Sequence, residues 1–158
     1  MSTRTQTIII AVLWFAWSVP HIVPGLLMIQ SALAGDLSSI KFLFPETDPQ
    51  TLMRDHPREV AAISVTFGQH GFNLFWFGVV ALIGAGLIGF RQSRVALIAT
   101  ALVVGCADLG ALFATFMIGR IDVIGILIFA GTLLGVLLTV SVLRKGVGGE
   151  QGSHASTA

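Results

Sequence analysis

The distribution of charge constrains this chain more than any other feature. Thr5 to Gly35 contains no Asp, Glu, Lys or Arg, and neither does Val60 to Phe90. Val95 to Gly119 contains only Asp108, and Val123 to Leu143 is again free of charge. About 20 apolar residues, rising 1.5 Å each in a helix, cross roughly 30 Å of hydrocarbon. All four stretches are long enough. Inside lipid each backbone amide must be satisfied within its own segment, so the stretches are expected to be helices, and no alternating pattern supports a strand barrel. The expected fold is therefore an all-α integral membrane protein. It is a four-transmembrane-helix bundle of up-down topology, with spans at about 8–31, 62–90, 95–118 and 122–143. Over the whole chain 54% of residues are hydrophobic and 11% charged, against about 25% charged in soluble proteins.

A net charge of +1 supplies no basic stripe, so nucleic acid is excluded as a partner. The single cysteine, Cys106, falls inside the third span and reads as a small packing residue. Arg4, the apolar run from Ile8 and Ala32-Leu33-Ala34 mimic a cleavable signal. That run is too long for a signal and contains Pro20, His21 and Pro24, so residues 1–34 are read as a retained first span. Arg outnumbers Lys, and Ala, Gly and Val are abundant, as in chains from GC-rich bacterial genomes. A bacterial cytoplasmic membrane is the expected location.

Orientation follows from Lys and Arg close to the span ends. Arg4, Arg91, Arg94, Arg144 and Lys145 cluster on one side, whereas Lys41, Arg54 and Arg58 lie among acids in the loop 36–59 and Arg120 follows the third span. Both termini are accordingly expected in the cytoplasm. In the outside loop, Asp48-Pro49 reads as an N-cap with proline at the first helical position, and Pro57 as the start of the second long helix. That helix would exceed the hydrocarbon thickness, and Gly68 and Gly71 mark places where it could bend. Residues 146–158, rich in glycine and without a large hydrophobe after Val147, are expected to form a disordered tail.

Polar residues within the spans are the functional candidates, because an ionisable group at a span centre costs about 2.5–3.5 kcal/mol to insert. Asp108 lies about 21 Å beyond Arg94, and His21 about 21 Å beyond Thr7. Equal depth permits them to pair. Thr132 brings a hydroxyl on the last span to about 18 Å. Asn73, His70 and Gln69 fall at about 27, 31 and 33 Å, near the outer boundary, where they could cap a polar cavity containing His21 and Asp108. The competing reading is that these three meet only headgroups and water. Pro20 and Pro24 remove two amide donors around His21 and free carbonyls one turn earlier, either as an ordinary kink or as part of a binding site.

No pair of histidines or acids stands at metal-ligand spacing within a span, so no metal site is expected and no cofactor is assigned. Trp14, Trp17 and Trp76 read either as interface anchors or as the lining of a pocket for a flat ligand. Gly84, Gly86, Gly89, Ala107, Ala111, Gly131 and Gly135 suit close helix contact. In span number and size the layout is similar to small bacterial four-span proteins of the DoxX-like kind, with no shared motif.

No nucleophile with a base, phosphate loop or paired carboxylates specifies a reaction. The leading expectation is a small membrane protein whose outward-facing polar cavity binds a small ligand or proton through His21, Asp108, His70, Asn73, Gln69 and Thr132. One rival is an accessory or assembly subunit binding a partner membrane protein or a second copy. The other is a membrane enzyme acting on a lipid or quinone.

Overall fold

A computed structural model describes residues 2–42, 44, 46–118 and 123–151. The protein is an all-α, four-helix membrane bundle. The chain runs through α1 (Thr3–Ala34), a short 3-10 helix (Ser38–Phe42), α2 (Pro49–Asp55), α3 (Pro57–Arg91), α4 (Arg94–Ile118) and α5 (Val123–Gln151). The long helices α1, α3, α4 and α5 carry the four stretches apolar enough to cross a membrane. Large apolar side chains such as Phe15, Phe72, Leu102, Phe113 and Leu137 are exposed, as a surface solvated by lipid requires. Arg120 and residues 152–158 lie outside the described residues, and α5 runs on to Gln151 through the first six residues of the expected tail 146–158.

The described residues pack as two compact units. The terminal unit comprises the chain up to Trp17 and from Val80 onward, and the loop unit comprises Ser18–Val79.

In the terminal unit, α1 and α5 run antiparallel in constant register. Near the chain ends Gln6 donates from Nε2 to Ser141 Oγ (3.0 Å), and Lys145 Nζ donates to Gln6 Oε1 (2.9 Å). Further along, the fully buried Trp14 lies against Gly135, where an added Cβ would overlap the indole ring. The start of α1 and the end of α5 thus share one side of this unit. The RQSR turn joins α3 to α4 through a left-handed Gln92 (φ 50). Ser93 caps α4, its Oγ accepting from the Ala96 amide at 3.2 Å, which satisfies one of the helix's orphan donors. Gly84 of α3 leaves room for the buried Thr100 of α4. Hydroxyls elsewhere in the helices turn back on their own backbone, Thr7 to the Thr3 carbonyl and Thr139 to the Gly135 carbonyl, a common solution for a polar side chain in lipid.

In the loop unit, α1 and α3 meet along a glycine seam. A Cβ on Gly25 would lie 2.6 Å from the Phe75 amide nitrogen and 2.7 Å from the Gly71 carbonyl oxygen. One on Gly71 would lie 2.7 Å from Met28 Cβ, and one on Gly78 would lie 2.9 Å from the Ile22 nitrogen. Backbones approach this closely only where side chains are absent. Gly68 and Gly71, read from sequence as bend positions, serve this seam instead, and α3 runs unbroken from Pro57 to Arg91. The helix α1 likewise continues through Pro20 and Pro24.

Beyond α1, Gly35 (φ 68) and Leu37 (φ 48) turn the chain. Asp36 Oδ1 accepts from Ser31 Oγ at 2.8 Å and from the Ser38 amide at 2.9 Å, and Ser39 Oγ donates to the Leu27 carbonyl at 2.9 Å. These bonds fold the loop back onto the helix, where Met28, Leu37, Ile40, Val60 and Phe67 form a small core. Asp48 caps α2 as its sequence implies, accepting from the amides of Gln50 and Thr51.

Candidate functional site

In the terminal unit, Trp17 and Thr132 converge on Asp108. This carboxyl lies midway along α4 and is 6% exposed. Its Oδ2 accepts from Trp17 Nε1 of α1 at 3.0 Å and from Thr132 Oγ1 of α5. Three helices therefore supply one buried cluster. The sequence places each member where it must be: Asp108 about 21 Å from the start of α4, and Thr132 about 18 Å from Arg144. With α4 and α5 antiparallel, those counts bring the two side chains to the same level.

A buried carboxyl is costly unless hydrogen bonded, and the indole and hydroxyl supply donors. Trp17 was legible only as an aromatic anchor or pocket wall. The available signal was its indole N–H, a side-chain donor about 15 Å beyond Thr7 on α1. One turn earlier, Trp14 is fully buried, and its Nε1 has no hydrogen-bond partner among the described residues. Such a donor carries a cost of about 1–3 kcal/mol.

The remaining candidates belong to the loop unit. His21 is buried on α1 one helical turn beyond Trp17. Gln69, His70 and Asn73 are all exposed, on the face of α3 turned away from its seam with α1. Asp108 and Thr132 are thus bonded to each other, and the outer three share a face of their own. No group of three or more His, Cys, Asp or Glu capable of holding a metal occurs among the described residues.

Outside the spans, a cleft of about 310 Å³ between the 3-10 helix and α2 is lined by Asp36, Lys41 and Asp48 among others. Its carboxylates are already engaged. The Ser38 amide and the Ser31 hydroxyl hold Asp36 below the ordinary aspartate range, and the Thr51 hydroxyl chiefly does the same for Asp48. Arg54 and Asp55 form an exposed ion pair at 2.7 Å, of a kind that contributes little. These bonds hold the loop's shape.

No protein-family model, curated protein or solved structure matches the chain. The four apolar helices mark it as a multi-pass membrane protein in contact with a lipid bilayer.

Proposed function

We propose that this protein binds a proton or a small polar ligand at Asp108 within the membrane, with Trp17 and Thr132 holding the carboxyl in place. The observation that carries the reading is the burial of one acidic group midway along a spanning helix, with donors from two other helices converging on it. Ionisable groups so placed are expensive, and typically line ion, proton or ligand paths. The unspent Trp14 donor, one turn from Trp17, supports a ligand with an acceptor atom. Native mass spectrometry of the purified protein separates the two cases. A retained mass adduct that disappears in Asp108→Asn identifies a ligand, and an adduct unaffected by that change removes Asp108 from its site.

The proposal places the protein in a bacterial cytoplasmic membrane with both termini inside, from the clustered Arg91, Arg94, Arg144 and Lys145. Single-cysteine variants in a Cys106→Ala background test this orientation. An impermeant thiol reagent added from outside should label a cysteine at Ser38 and spare one at Ser93, and the reverse pattern would overturn it.

A further inference from the structure

The face of α3 away from the glycine seam carries a polar stripe that the proposed Asp108 site does not use. Thr66, Gln69, His70 and Asn73 recur at the helical spacing i, i+3, i+4 and i+7, and all four are exposed. Thr66 turns its hydroxyl back to the Ala62 carbonyl at 3.1 Å. Gln69, His70 and Asn73 make no side-chain hydrogen bond among the described residues. The helix thus presents amide and imidazole groups outward near the outer hydrocarbon boundary, with Asn73 still within the apolar layer, where lipid tails offer it nothing.

The arrangement within the stripe says what fits it. At about 100° per residue, Asn73 and Thr66 lie on its midline, Gln69 to one side and His70 to the other. About two turns beyond the midline's outer end the same division recurs, with Arg58 on the Gln69 side and Glu59 on the His70 side, both exposed. Two copies inserted in the same direction bring their α3 helices together in parallel about a two-fold axis normal to the membrane. Midline residues then face their own counterparts, and each flank faces the opposite flank of the other copy. Asn73 meets Asn73, each amide both donor and acceptor. Gln69 meets His70, and Arg58 meets Glu59, twice each. The stripe is complementary to itself in hydrogen bonding and in charge.

We infer that the Thr66–Gln69–His70–Asn73 face of α3 is a homodimer interface, occupied by the same face of a second copy of this chain. The Arg58–Glu59 division is the feature that selects a second copy over an unrelated helix, because opposite charges on the two flanks match the same face turned about a two-fold axis. This inference is independent of the reading of Asp108.

Oxidative cross-linking of the full chain in native membranes tests it. In a Cys106→Ala background, Asn73→Cys should give a disulfide-linked dimer, and Val65→Cys, about 90° off the midline, should not. Native mass spectrometry of the protein without introduced cysteines should show a dimer. Gln69→Leu with Asn73→Leu, which suits lipid and preserves helix propensity, should weaken that dimer at least about tenfold. Arg58→Glu should weaken it and Arg58→Glu combined with Glu59→Arg should restore it. A monomer in the parent protein, equal cross-linking at positions 65 and 73, or a dimer indifferent to the charge exchange would each overturn the proposal.

Discussion

Gly25→Ala is expected to destabilise the protein strongly, although alanine is the better helix former. Replacing a helical glycine by alanine gains about 1 kcal/mol in propensity. At position 25 the new methyl would lie 2.6 Å from the Phe75 nitrogen, 2.7 Å from the Gly71 oxygen and 3.0 Å from the Phe75 Cα. All three are backbone atoms, so no side-chain rotation makes room, and α1 and α3 must separate within the loop unit. Overpacking of this kind costs typically 1–3 kcal/mol and at times more, and the separation also loosens Met28 in the small core. Gly86 is the matched control, because a Cβ there meets nothing within 4 Å. Relative to Gly86→Ala, Gly25→Ala should be less stable by about 3 kcal/mol, a difference of roughly 10 °C in apparent melting temperature for a chain of this size. Thermal unfolding in detergent, followed by near-ultraviolet circular dichroism of the tryptophans, measures it. Equal melting temperatures would contradict the close α1 to α3 approach.

That contrast also shows what the sequence discloses and what it withholds. The spans were legible because lipid makes a single demand, the absence of charge, which can be read residue by residue. The Asp48 cap was legible because capping is local. Glycines are not legible in this way, since their role depends on what faces them. Gly68 and Gly71 read as bend points and serve a helix contact, whereas Gly131 of the G-x-x-x-G pair faces nothing within 4 Å and only Gly135 is filled, by Trp14. In the candidate site, depth counting brought Asp108 and Thr132 to one level, because rise per residue is fixed. It could not give azimuth, the direction a side chain takes around its helix. Azimuth decides that Gln69, His70 and Asn73 lie on an exposed face of α3 and that Trp17 reaches Asp108.

Removing the Asp108 carboxyl should alter chemistry more than folding. In Asp108→Leu, Trp17 Nε1 and Thr132 Oγ1 lose their shared acceptor, at about 1–3 kcal/mol for each donor left buried and unsatisfied. Against this, replacing aspartate by leucine near a span centre recovers about 2.5–3.5 kcal/mol of insertion penalty. At mid-range the two unsatisfied donors cost about 4 kcal/mol against about 3 kcal/mol recovered, so the terms nearly cancel and net stability should fall by about 1 kcal/mol. Asp108→Asn keeps an acceptor oxygen for both donors and should fold at least as well. By comparison, Trp17→Ala removes a side chain that is 6% exposed together with its bond to Asp108, and should cost about 3–5 kcal/mol. The expected pattern is near-parent melting temperatures for both Asp108 variants and a large drop for Trp17→Ala. If Asp108→Asn alone unfolded the bundle, the carboxyl would be a structural element and the functional reading would fail.

The central claim is that Asp108 exchanges a proton or ligand within the membrane, and infrared difference spectroscopy of the carboxyl stretch reads that group directly. Spectra of the reconstituted protein are taken across a pH change, or with and without any ligand found by mass spectrometry. The account predicts a carboxyl band that is absent in Asp108→Asn and displaced in Thr132→Val, because the hydroxyl bonded to Oδ2 is gone. Recording the same band in His21→Ala tests whether the equal depths of His21 and Asp108 reflect a coupled pair. A difference spectrum identical in the parent and in Asp108→Asn would contradict the account.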